Sequence, residues 1–347
     1  MSARPRTRFW LLAALLAACE HGAPFRPVPY TPDGPFTPPP PPTRLTLNPG
    51  LDLAPIALPA AGAGTSAILY TAERRDRADH DQCFAVLPQG GGAITRYICR
   101  TTAADDSINV FSEAAVAADG QLAYVRASTH RFPFRPVSPD VEALVVGTLD
   151  DPHNVRVLRT LPYTAPSGRI HQGISHVGWL GATKLVYVAD SVTYPRACSG
   201  CPPDTVRTGL EIATLDLFGL PVPIIVVVPG TDSASSVAVG ATSDTIYFTR
   251  LNDSRVYRRV LSSGQTDTIH DFVGGIAQDV AVANGRGYLV AIVDDQPHFV
   301  NLATGADVLV ADTTASFRRP VFSSDGTRVT IERWVNGAVD LWLLDVP

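Results

Sequence analysis

The sequence predicts an all-β chain of repeated four-stranded antiparallel units, and three observations carry that prediction. Gly and Pro are frequent, at 27 and 30 of 347 residues, while only 18% of residues are charged, as many short strands joined by turns require. Beyond the extreme N-terminus no window sustains a 3.6-residue apolar period, so almost no helix is expected. The C-terminal stretch RPVFSSDGTRVTIERWVNGAVDLWLLDV parses as three strands, Pro320–Ser323, Arg328–Trp334 and Val339–Val346. Asp325-Gly326 and Asn336-Gly337 stand between them, and these dipeptides are the strongest short-range hairpin signals.

One such unit cannot bury its own faces, so further copies are expected upstream. Blade five spans Ala277–Asp312, with a turn at Asn284-Gly285, and blade four spans Ser235–Phe272. Blade three starts at Ile174 and resumes at Leu210; blade two starts at Glu113 and resumes at Val141. Blade one takes Ala54–Leu58, Ala67–Thr71, Gln82–Leu87 and Ala93–Arg100. The last blade supplies only three strands, and Thr43–Asn48 is a spare strand at the other terminus. It is expected to complete that blade as its outermost strand, closing the ring and removing an open edge. The result is a six-bladed β-propeller; seven blades would require splitting blade two or three.

The C-terminal repeat resembles that of TolB-type, WD40-like propellers at Pro320, Phe322, Ser323, Asp325, Gly326, Trp342 and Asp345. It departs at Ser324, where that family usually has a second Pro. The resemblance spans Thr43 to Pro347 and is specific only in the last blade. It implies the propeller fold and a protein- or ligand-binding scaffold. The alternative it implies is a propeller hydrolase or lyase acting on a glycan or small substrate in the central channel. TolB carries an extra N-terminal domain before its propeller, and a Pro-rich stretch stands there in this chain.

The N-terminus reads as an address. Arg4, Arg6 and Arg8 precede an apolar run, Phe9 to Ala18, that ends in Leu16-Ala17-Ala18-Cys19. A basic start, a short apolar core and small residues before the cut make residues 1–18 a secretory signal, too short to span a membrane. The ending resembles a bacterial lipobox, which implies lipidation of Cys19 and stable membrane anchoring through several acyl chains. Glu20 in second position implies outer-membrane sorting, with the protein facing the periplasm or the cell surface. Residues 19–43, rich in proline, are expected to act as an extended tether holding the propeller, residues 44–347, off the membrane. A protein or envelope component is the expected partner.

The formal charge is −5, or −8 after Arg4, Arg6 and Arg8 leave with the signal. A net-acidic chain without a basic stripe is a poor nucleic-acid binder, because phosphate neutralisation supplies most of that affinity. Gly62-Ala-Gly64-Thr-Ser-Ala67 approaches a dinucleotide fingerprint but lacks the βαβ unit, and it reads as a flexible turn. No nucleophile elbow, Walker A loop or calcium loop is present. No catalytic residue, cofactor or metal is therefore assigned.

With Cys19 lipidated, four cysteines remain, an even number suited to disulfides in an exported chain. Cys83 and Cys99 flank the turn around Leu87–Gly92 and are expected to form a cross-strand disulfide. Cys198 and Cys201 form a CxxC within a loop, expected to be a local disulfide; a zinc site would need two more ligands. His171, His176, His270 and His298 are scattered and match no His-x-His or HExxH pattern, so they are expected to be lone surface or strand-end residues. Three long interruptions, Arg74–Asp81, Thr129–Asp140 and Ser191–Gly209, all fall between second and third strands. They share one rim, and loops of such length in a compact repeat are usually functional or disordered. Arg74, Arg77, His80, Arg131, Phe132, Phe134, Arg135, Tyr194 and Arg196 are the binding candidates there.

Overall fold

The computed structural model describes residues 42–47, 50–58, 66–73, 81–99, 107–130, 141–164, 170–193, 205–215, 223–283 and 285–347. Among them every regular element is a strand. Blade one holds β2 (Asp52–Leu58), β3 (Ala67–Glu73), β4 (Gln82–Pro88) and β5 (Arg96–Ile98). Blade two holds β6 (Ser107–Val116), β7 (Gln121–His130), β8 (Val141–Thr148) and β9 (Arg156–Leu161). After the short β10 (Tyr163–Thr164), blade three holds β11 (Ile170–Leu180), β12 (Lys184–Thr193), β13 (Thr205–Thr214) and β14 (Ile224–Val227). Blade four holds β15 (Ala234–Val239), β16 (Thr245–Arg250), β17 (Arg255–Val260) and β18 (Thr266–Asp271). Blade five holds β19 (Ala277–Ala283), β20 (Tyr288–Val293), β21 (Gln296–Asn301) and β22 (Asp307–Leu309). The last holds β23 (Ser316–Phe322), β24 (Arg328–Val335) and β25 (Ala338–Asp345), and β1 (Thr43–Arg44) pairs with β25 as its fourth strand.

Blades one and two are joined into one sheet by a single parallel pair, Gln82 with Val110. The first strands touch in sequence, β2 to β6, β11, β15, β19 and β23, and β23 returns to β2. They enclose a central channel, which makes the arrangement a β-propeller.

The hydrophobic core follows from the period of two along each strand. In β12, Leu185, Tyr187 and Ala189 pack toward blade two, while Val186 and Val188 pack toward blade four. Both faces are buried, so these strands read as continuous apolar runs rather than as alternation. Six such clusters occur, one at each blade boundary. The cluster between the last blade and blade one includes Leu45, and the Leu45 amide donates to the Leu341 carbonyl at 2.7 Å.

The Asp325-Gly326 turn has a local cause. The Ser323 hydroxyl and the Thr327 amide both donate to Asp325, and the Arg328 amide donates back to Ser323. Those donors, the Ser323 hydroxyl first, hold the Asp325 carboxyl down at about 2. Gly326 supplies the left-handed backbone that follows, and Asn336 and Gly337 supply two such residues in the next hairpin.

Several strand limits differ from the sequence expectation. β12 runs on to Thr193 and β13 begins at Thr205, in unbroken register from Lys184–Thr214 to Thr193–Thr205. β7 reaches His130 and β6 begins at Ser107. Polar and β-branched residues continue these ladders beyond the sheet core, where no apolar alternation marks them. β10 also pairs with the entry of β11, unforeseen because two residues carry no pattern.

Candidate functional site in the central channel

Register shifts after Leu53, Ser112, Ser175 and Arg318 set two residues of β2, β6, β11 and β23 opposite one on the neighbouring strand. The first of each pair, Ala54, Glu113, His176 or Arg319, has φ between 49° and 52°. For a residue with a Cβ this left-handed conformation costs about 1–2 kcal/mol. Such outliers persist only where their surroundings hold them, often at functional sites. Here the surroundings are carboxylates. The Ala54 amide donates to Glu332 at 2.6 Å, the His176 amide to Glu113 at 2.6 Å, and the Arg319 amide to Asp279 at 2.9 Å. In each case the carboxylate belongs to the preceding blade of the ring.

The side chains close a network at the same level of the channel. Arg319 makes a bidentate pair with Glu113, both contacts 2.7 Å, and His176 Nε2 lies 2.9 Å from Asp279 Oδ1. The four side chains are 10–25% exposed. Burial pushes the Glu113 and Asp279 carboxyls up, but the charges and hydrogen bonds of Arg319 and His176 outweigh it and hold both below the usual carboxylate range. Burial opposes the charge of Arg319 too, yet Glu113, Asp279 and Glu332 hold its guanidinium firmly protonated. Glu332 is different: burial pushes its carboxyl up to about 7, and Arg319 with the Ala54 amide and the Trp334 indole N–H only partly offsets this. Burial likewise raises Glu142 and Asp190, with Glu113 adding to the first.

Above this layer lies a cavity of about 370 Å³, within the range of small-molecule sites. Every first strand contributes to its wall, including Ile56, Val177, Trp179, Val239, Val282 and Val321. The wall runs from the charged layer toward the hairpins that join first to second strands, ending at Ser323 and Ser324.

Two further polar clusters lie outside the channel. Between blades two and three, buried Arg159 pairs with Glu211 and Tyr187, and His171 faces Glu211 at 3.6 Å. Burial and the Glu211 charge raise the Tyr187 phenol well above its ordinary value. Between blades four and five, His298 Nδ1 lies 3.0 Å from the Asp307 carboxylate while His270 stands 4.0 Å from the same group. The expectation of lone histidines is therefore corrected: all four face carboxylates, His176 and His270 across blades and His171 and His298 within one. Among the described residues no group of three His, Cys, Asp or Glu is arranged to hold a metal.

Cys83 and Cys99 form the expected disulfide, continuing the β4–β5 register from Phe84–Ile98, with 4.6 Å between their Cα atoms. Cys19, Cys198, Cys201 and the rim candidates Arg74, Arg77, His80, Arg131, Phe132, Phe134, Arg135, Tyr194 and Arg196 lie outside the described residues. Sequence reading missed Glu113, His176, Asp279 and Arg319. Their signal was present: a charged or imidazole residue interrupts four first strands just before an apolar run.

No family model and no curated protein matches the sequence. Solved structures do match. A TolB from Acinetobacter baumannii aligns with TM-score 0.50 and 12% identity over 80% of this chain and 63% of its own. Puromycin hydrolase aligns with TM-score 0.52 and 13% identity over 85% of this chain and 44% of its own. A luciferin-regenerating enzyme aligns with TM-score 0.50 and 8% identity over 87% and 92%. The shared feature is the propeller fold. At such identity the likeness carries no activity, and the chain spans less than two thirds of the first two structures.

Proposed function

We propose that this protein is an exported binding propeller, anchored to the outer membrane through Cys19, that takes a ligand or partner segment into the channel cavity. One observation carries the reading. The cavity is walled by all six first strands, and the charged groups at its floor are already committed to one another. A floor of that kind positions a ligand but offers no free nucleophile. The hydrolase or lyase alternative draws on the His176–Asp279 pair. Its weakness is that the other ring nitrogen of His176 sits 3.2 Å from Ser175 Oγ, and Ser175 is not on the cavity wall.

The test is a thermal-shift screen of a small-molecule collection against the wild type and two channel-filling variants, Val321→Trp and Val239→Trp. Both positions are half-buried in the wall. Hits that stabilise the wild type and are lost in both folded variants support the reading. Hits retained in both variants refute it. For the anchor, Cys19→Ser is expected to move the protein from the membrane to the soluble fraction, and an unchanged membrane fraction refutes lipidation there.

A further inference from the structure

The channel's ligand has a definite chemistry, which rests on the binding reading above. We infer that the cavity accepts a small organic cation, an ammonium or guanidinium group on an apolar body. The argument is a census of hydrogen-bonding capacity. Donors at the wall are already directed at protein acceptors. His176 Nε2 is on Asp279, the Trp179 indole N–H is on the Ala115 carbonyl at 3.0 Å, and the Ser323 hydroxyl is on Asp325. The His176 and Arg319 amides are on Glu113 and Asp279, and both terminal nitrogens of Arg319 are on Glu113. Among the carboxylate oxygens, Glu113 Oε2 already accepts two hydrogen bonds, while Glu113 Oε1 and both oxygens of Asp279 accept one each and keep a lone pair.

Charge points the same way. The carboxylates Glu113 and Asp279 are already paired with the cavity's basic groups, Arg319 and His176. An incoming anion would have to break the bidentate Arg319–Glu113 pair and leave a buried carboxylate uncompensated. An incoming cation breaks nothing and supplies the missing donors. Trp179 and the valines of the wall suit its apolar body, and an indole face adds attraction for a cation.

The experiment compares three probes of one shape on the full chain: phenethylammonium, phenylacetate and 2-phenylethanol. Binding is followed by calorimetry with the wild type, Val321→Trp, Val239→Trp and Val239→Lys. The expected result is phenethylammonium binding at least about tenfold tighter than either other probe, abolished by both Trp variants. Val239→Lys, which places a cation in the wall, is expected to remove phenethylammonium binding while the variant keeps its fold by circular dichroism. Phenylacetate or phenylethanol binding as tightly as the amine, with both Trp variants blocking it, overturns the cation inference and leaves the channel site standing. No binding by any probe, or binding indifferent to both Trp variants, overturns the inference together with the site.

Discussion

Glu332→Gln is the most informative single substitution for the electrostatics of this ring. The carboxyl moves from an ordinary 4.5 to about 7 on folding, and each tenfold change in proton affinity carries about 1.4 kcal/mol. Ionised Glu332 thus costs the folded state about 3 kcal/mol relative to the unfolded chain. The sign follows from proton uptake. Below pH 4.5 both states hold the proton and there is no cost. Between 4.5 and 7 the unfolded chain releases it and the folded protein keeps it, so stability falls as pH rises. Above 7 the loss is complete. Gln cannot ionise and keeps the acceptor for the Ala54 amide, while its amide meets the Trp334 indole N–H unfavourably at every pH. The difference in unfolding free energy, variant minus wild type, is therefore expected to grow by about 3 kcal/mol from pH 4.5 to 8. Urea denaturation of both proteins across that range measures it, and other titrating groups cancel in the difference. A difference that stays constant across the range refutes the assignment.

Four further outcomes are expected. Arg319→Met leaves buried Glu113 without its bidentate cation and is expected to cost about 3–5 kcal/mol; adding Glu113→Gln should recover part of that loss, and strict additivity in denaturant melts would exclude the coupling. Cys83→Ser opens a crosslink with a sequence separation of 16 and is expected to cost about 3 kcal/mol, measured by the urea midpoint with and without reductant; a wild type insensitive to reductant once unfolded would contradict this. Thr46→Val removes the buried acceptor of the Leu341 amide at a cost of about 1–3 kcal/mol. Arg44→Ala, breaking a pair whose Arg side chain is 42% exposed, is expected to change stability by less than about 1 kcal/mol, and the reverse ranking would refute β1 as the closing strand.

Much of the fold was legible because blade strands are periodic. Arg328–Trp334 and Gln82–Leu87 were placed within a residue or two, since apolar side chains at spacing two can only be explained by burial on a sheet. The closing strand was legible for another reason: Thr43–Asn48 had no partner nearby in sequence and the last blade lacked one strand. The limits of β6 and β13 were not legible, because polar residues interrupt the apolar pattern at their outer ends while main-chain ladder bonds carry the strands on. A hydrogen bond between main-chain groups leaves no mark on composition.

The sequence by itself determined the all-β class, the repeat, the closure and the Cys83–Cys99 pairing, all of which rest on local spacing or on counting strands. Only the tertiary structure decided the channel. Arg319 and Glu113 lie 206 residues apart, Ala54 and Glu332 278, and His176 and Asp279 103. Each sits alone in its own strand as a polar interruption, a local signal that does not say which residue it faces. They acquire a common environment only when the ring closes, because closure turns first strands from all six blades toward one axis. Burial and charge neutralisation are properties of that axis, and no single blade carries them.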